Sequence, residues 1–262
     1  MSADTLTTTL PGPARRPALA QLTRTELTLF LRERTGPIWG IVFPVVLLII
    51  FGAIPSFRKP VSSSLPGVSV LDSYVPILLA FVLAMIALNV LPPVLAGYRE
   101  KGVLRRLSTT PVGPARVLTA QLIVDTAAAG STMVVLVLVA RTGYGVPFPR
   151  QPLGFAVAAV LAAIALLSLG LFLAAVTPTG RAANAIGAML FFPMMFFAGL
   201  WLPQAAMPSV LRHISHETPL GAAVQAMTTA WQGQWPHPLQ LITLAAYAVA
   251  LTVAATRLFR WE

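Results

Sequence analysis

Six long stretches of this chain carry almost no charge: 38–54, 74–95, 117–139, 153–176, 182–202 and 239–258. About 20 apolar residues in a helix cross a hydrocarbon core. A helix satisfies its own backbone polar groups where no water can reach them. Each stretch therefore predicts a membrane-spanning helix. The first is short and holds Pro44, which a span tolerates when neighbouring groups satisfy the carbonyl it frees. Composition agrees with six spans. The chain is 56% hydrophobic and 10% charged, against about 25% charged for an average soluble domain. Its 18 basic and 8 acidic side chains cannot cover a soluble globule of 262 residues. A soluble enzyme, a disordered chain and a secreted disulfide scaffold are excluded, the last also by the absence of cysteine. The reading is an all-α integral membrane protein, with a flexible tail over 1–17 and a single transmembrane domain over 18–262.

Basic residues orient the spans. Thirteen lie on one side, at Arg15, Arg16, Arg24, Arg32, Arg34, Arg99, Lys101, Arg105, Arg106, Arg116, Arg181, Arg257 and Arg260, and five on the other, at Arg58, Lys59, Arg141, Arg150 and Arg212. The positive-inside rule predicts the thirteen, and with them both termini, to be cytoplasmic. The net charge of +10 thus follows from topology and implies no nucleic-acid partner. No apolar stretch of signal-peptide form precedes the first span. Residues 18–34 carry Leu19, Leu22, Leu29 and Phe30 on one flank among Arg24, Glu26, Arg32 and Glu33. This suits a short helix on the inner membrane surface, an irregular juxtamembrane tail being the alternative. On the outer side, Thr218 followed by Pro219 predicts a helix that stops at Gly233. Trp201, Trp231 and Trp235 suit the outer interface.

Few residues could carry chemistry. Asp125 is the lone acid inside a predicted span. Its position calls for an ion pair with Arg116 or Arg99, and one acid cannot form a proton relay. Asn89 suits a polar contact between helices or a substrate path. Phe191, Phe192, Met194, Met195, Phe196 and Phe197 could form an apolar binding wall, or ordinary span packing, with Phe192, Met195 and Phe196 as the substrate-path candidates. His213, His216 and Glu217 lack a third His or Cys and read as solvated loop polars rather than a metal site. The two lysines, Lys59 and Lys101, stand in no phosphate-binding loop, so this chain does not hydrolyse ATP by itself.

The loop after span two carries more than charge. In Gly97-Tyr-Arg-Glu-Lys-Gly-Val-Leu-Arg-Arg-Leu-Ser-Thr-Thr-Pro-Val, apolar Val103, Leu104 and Leu107 group at helical spacing beside Arg99, Glu100, Arg105 and Arg106. An amphipathic helix emerging from span two suits docking to a soluble partner, with lipid binding as the alternative.

Glu100, Gly102, Leu104, Leu107, Thr110, Pro111 and Val112 resemble the corresponding loop of type-two ABC exporter permeases, such as the daunorubicin-resistance-type and polysaccharide-export permeases. Val103 replaces the family's usual Thr, and Gln121 stands where Lys is common. Phe192 to Pro203, Met207-Pro208, Pro219-Leu220, Phe43-Pro44-Val45 and Arg257 to Trp261 also resemble this family, so the likeness spans Leu19 to Glu262.

The resemblance implies a permease of the bacterial plasma membrane that pairs with a second copy. Two separate ATP-binding-cassette subunits would bind ATP and Mg. Tyr98, Arg99, Glu100, Lys101, Gly102, Leu104, Arg105, Arg106 and Leu107 would form the coupling helix, with Leu104 as its apolar contact in the ATPase groove. The aromatic-rich interior favours export of a lipophilic small molecule, a drug, antibiotic or lipid, over a polysaccharide. The rival readings are an ion-coupled secondary carrier and a transport-inactive scaffold or sensor subunit.

Overall fold

The computed structural model describes residues 18–32, 35–59, 69–108, 114–204 and 207–258. The expected tail over 1–17, the Thr110-Pro111 break and the closing Phe259, Arg260 and Trp261 lie outside the described residues. Within them the chain is helical and has no strand. The helices are α1 (Ala18–Arg32), α2 (Ile38–Ala53), α3 (Val70–Glu100), α4 (Val103–Ser108), α5 (Pro114–Tyr144), α6 (Pro152–Val176), α7 (Gly180–Ala198), α8 (Ser209–Glu217), α9 (Pro219–Trp231) and α10 (Pro238–Leu258). Five of them, α3, α5, α6, α7 and α10, are long and apolar enough to cross a membrane, while α2 is apolar but shorter. The expected third span is longer than its apolar run, beginning at Pro114 and ending at Tyr144. The fifth ends early, at Ala198 rather than at residue 202.

The long helix α3 is the axis of the bundle and packs against α2, α5, α6, α7 and α9. A capping box starts it. The Ser69 hydroxyl accepts from the Asp72 amide at 3.2 Å, and the Asp72 carboxylate accepts from the Ser69 amide at 2.6 Å. Its 31 residues extend about 46 Å at 1.5 Å per residue, well beyond a hydrocarbon core of about 30 Å.

Two turns of π-helix interrupt the ordinary pitch. One, Ile38–Val42, opens α2; the other, Ile86–Val90, lies in the middle of α3. Each shortly precedes proline: Pro44 in α2, Pro92 and Pro93 in α3. A proline ring crowds the carbonyl four residues back and supplies no N–H to it, which favours a widened turn at that place. The two widened turns meet, since a methyl group on Gly40 would come 3.4 Å from the Ile86 side chain.

The carbonyls of the wider turn in α3 are met by glycine. A Cβ built on Gly170 of α6 would overlap the Ala87 carbonyl oxygen, and one built on Gly187 of α7 would overlap that of Leu88. Three helix backbones therefore touch at this level, where Pro92 cannot donate to Leu88. Close Cα–H···O contacts of this kind are a known device of helix packing.

At the opposite end from α1 and α4, α8 and α9 fold back onto the bundle. The expected cap is present: the Thr218 hydroxyl accepts from the Gly221 amide at 3.1 Å. Yet α9 is no surface helix. Its Ala222, Ala223, Ala226 and Ala230 are buried, and it packs against α3, α6, α7 and α10. Trp201 and Trp235 are exposed, but Trp231 is buried edge-on against Phe155 at 5.6 Å, contrary to its expected interfacial place. The small residues of α9 let it sit close among larger helices and carry Trp231 inward.

Candidate functional site

An aromatic chain crosses three helices. Trp39 and Phe43 of α2 stand 5.0 Å apart, Phe43 lies 5.8 Å from Phe81 of α3, and Phe81 lies 5.3 Å from Phe191 of α7. These rings line a cavity of about 750 Å³, together with Asn89, Phe192 and Trp201. That volume falls within the range of pockets that hold drug-sized ligands. Trp39, Phe192 and Trp201 are exposed as well as lining it, so the cavity is open on one side.

The cavity gathers Asn89 and two of the expected wall residues, Phe191 and Phe192, but not Met194, Met195, Phe196 or Phe197. Met195 is fully buried in the core, and Phe196 packs edge-on to Phe197 at 5.5 Å. Trp39 and Phe81 were not singled out from the sequence, although each lies in a predicted span, and Phe43 was named only for the family likeness. The Asn89 amide donates to the Met85 sulfur at 3.3 Å.

A polar cluster forms the end of the cavity near α1. Glu26, Tyr98 and Gln121 line it. The Tyr98 hydroxyl donates to the Glu26 carboxylate at 2.7 Å. The Gln121 amide donates to both oxygens of Asp125 at 3.1 Å. Asp125 is fully buried, and Glu26 lies close enough to repel it. The expected ion pair of Asp125 is thus replaced by a neutral partner one turn earlier on the same face of α5. Arg99 turns elsewhere, and Arg116 is exposed. The amphipathic α1 supplies the second acid: it packs on α5 and turns Glu26 inward. Because the partner of Asp125 is neutral, Asp125→Asn retains the Gln121 hydrogen bond and removes the repulsion from Glu26. It is expected to melt in detergent at or above the wild-type temperature. A lower melting temperature would show a cation pairing with Asp125.

The coupling segment divides in two. Gly102, with φ of +68°, takes a left-handed conformation that favours glycine, and its N–H donates to the Arg99 carbonyl at 2.9 Å. The segment is therefore not one helix. Tyr98, Arg99 and Glu100 form the last turn of α3, and α4 begins afresh at Val103. Arg99 donates to the Ala175 carbonyl at 3.1 Å and to the Thr177 carbonyl, and Glu100 accepts from the Gly180 amide at 3.1 Å. Leu104 is fully buried where α4 packs on α3 and α5, so it is not an outward docking contact. Its apolar side chain fits an internal seat as well as it would a partner's groove, and periodicity does not distinguish the two. Lys101, Arg105 and Arg106 are exposed.

At the other end, the rings of His213 and His216 stand 6.4 Å apart, and among the described residues no three metal-ligating side chains converge. Burial holds the His216 imidazole below its usual 6.5, and the neighbouring His213 and Arg212 lower it further against the opposing Glu217. The folded chain thus takes up this proton less readily than the unfolded one. Stability is unaffected well above the unfolded value and falls as pH drops below about 6.5 towards the folded value. The melting temperature should decline as pH falls through and below about 6.5, and less steeply in His216→Gln. An equal slope in both proteins would remove His216 from the account.

A helical bundle with an aromatic cavity among its apolar helices, and a basic helical segment at the end of its central helix, has the makings of a multi-pass membrane transport protein. The sequence matches at family level over most of its length. Residues 17–230 fit the family described as ABC-2 type transporter, and the chain belongs to that family. No curated protein matches it significantly.

Proposed function

We propose that this chain is the membrane subunit of an ATP-driven exporter, working as a pair of copies with two separate ATP-binding subunits that hold ATP and Mg. The observation that carries this reading is the aromatic cavity beside the widened turns of α2 and α3, on the same helix that ends at α4. A second copy would close the open side of the cavity. The aromatic walls suit a lipophilic small molecule leaving a bacterial cytoplasm across the plasma membrane, with both termini on the cytoplasmic side. Family membership supports the ATPase partner, since permeases of this family generally work with ATP-binding subunits.

With Leu104 buried, docking falls to the exposed basic face of α4, which suits an acidic groove. Charge reversal at Arg105→Glu with Arg106→Glu should leave the chain monodisperse. It should reduce co-purification of a phosphate-loop ATPase by on the order of tenfold or more, because like charges would then oppose each other across the interface. An undiminished complex would move the docking surface elsewhere. Failure of the unaltered chain to retain any such ATPase would remove the exporter reading itself.

A further inference from the structure

We infer that Arg99 and Glu100 form an internal clasp, acting as positioning residues that make the end of α3 and the turn between α6 and α7 move as one body. This rests on the reading of α4 as the ATPase-facing helix. The clasp is built from opposite charges on opposite helix ends. The last carbonyls of α6 have no partner within their own helix and lie at the negative end of its dipole. Arg99 takes two of them, at Ala175 and Thr177. The first amides of α7 lie at a positive end, and Glu100 takes that of Gly180, while the Thr179 hydroxyl accepts from the Ala182 amide at 3.1 Å. Two adjacent side chains of α3 thus hold both ends of the short turn Thr177-Pro178-Thr179.

The backbones beneath are in contact as well. A Cβ on Gly180 would lie 2.9 Å from the Pro93 carbonyl oxygen and 3.5 Å from the Gly97 Cα. The fastened part of α3 is bounded on both sides. Gly102 turns the chain into α4 below it, and the widened turn Ile86–Val90 lies above it, beside the cavity. A push on α4 therefore reaches the inner ends of three spans through Arg99 and Glu100, and the flexure falls at the widened turn. Without the clasp, α3 would slide past the α6–α7 turn and the push would be lost before the cavity.

The chain has no cysteine, which allows a test that needs no transport substrate. Ala188→Cys places a reporter thiol on the cavity wall. Its reaction rate with N-ethylmaleimide is measured in the complex with its ATPase, with and without ADP trapped by vanadate after ATP hydrolysis. With Arg99 and Glu100 intact, trapping should change that rate by at least about fivefold, the lower end of typical coupling between sites. In Arg99→Gln and Glu100→Gln the ATPase should still co-purify and trap nucleotide, and the change in rate should disappear. In a Glu100→Gln chain carrying Arg181→Lys, bridging Lys101 to the amine introduced at 181, both exposed positions, with a bifunctional amine reagent before the ATPase is added leaves the reporter thiol untouched and should restore it.

Three results would overturn the clasp: loss of the ATPase from the Gln variants, an undiminished rate change in them, or no restoration on bridging. The first would make Arg99 and Glu100 docking contacts. If the unaltered complex traps nucleotide and its reporter rate never changes, the exporter reading fails, whatever the clasp does.

Discussion

Gly187→Val and Gly170→Val should yield almost no correctly folded chain. A side chain at either position meets a backbone carbonyl, of Leu88 or Ala87 respectively, and a carbonyl in a buried helix cannot rotate aside as a flexible side chain can. Relief requires α6 or α7 to move away from α3, and the best-buried helix of the bundle then loses packing along its length. Overpacking commonly costs 1–3 kcal/mol where side chains can adjust, so a clash against backbone should cost more than about 3 kcal/mol. Whole domains are stable by only about 5–15 kcal/mol. Gly130 of α5 is the control: it is exposed, and a Cβ there meets nothing within 4 Å. Gly130→Ala should be neutral or stabilising by up to about 1 kcal/mol through helix propensity. Size-exclusion profiles in detergent and melting temperatures measure all three. A monodisperse Gly187→Val chain melting near the wild type would show that α7 stands off from α3.

Leu104→Asp, just beyond the basic end of α3, should also fail as a defect of folding and not of binding, through a different cause. Removing a buried leucine side chain costs about 2–5 kcal/mol, and a carboxylate in its place is a buried charge with a further desolvation penalty. The variant should therefore melt early without any ATPase present. Leu104→Met, which conserves volume, should cost less than about 1.5 kcal/mol and keep the complex. If Leu104→Asp is as stable as the wild type on its own and loses only the ATPase, Leu104 faces outward and α4 is seated differently.

Leu104 marks the boundary between what the sequence discloses and what it does not. The helices were legible because lipid imposes one demand on every residue of a span, and the apolar stretches record it directly. The cap at Thr218 was legible because capping is settled within four residues. The side to which α4 presents Leu104 depends on α3 and α5, so the local pattern leaves it open. Glu26 and Asp125 are about a hundred residues apart, and Arg99 meets carbonyls 76 and 78 residues further on. No local rule pairs such groups. Phe192 and Met195 differ in another way: both lie in one apolar stretch, but only the crossing of α7 over α3 decides which faces the cavity. The widened turns had a signal in Pro44, Pro92 and Pro93, whose rings disturb the carbonyls four residues before them.

The turn at Ile86–Val90 also sets the phase of everything that follows it in α3. A widened turn holds one residue more than an ordinary one, so each side chain beyond it is rotated by about 100° from where an unbroken helix would aim it. Asn89, Pro93, Gly97 and Lys101, spaced by four, line the cavity together with Phe81 and Met85. Relaxation of the turn to ordinary pitch with every residue retained, which loss of the Pro92 and Pro93 rings would favour, turns the rest of α3 by that angle. Tyr98, Arg99 and Glu100 would then swing away from Glu26, the end of α6 and the start of α7 together, though none of the three had changed. In this helix a substitution far from the basic end can undo it more completely than one made there.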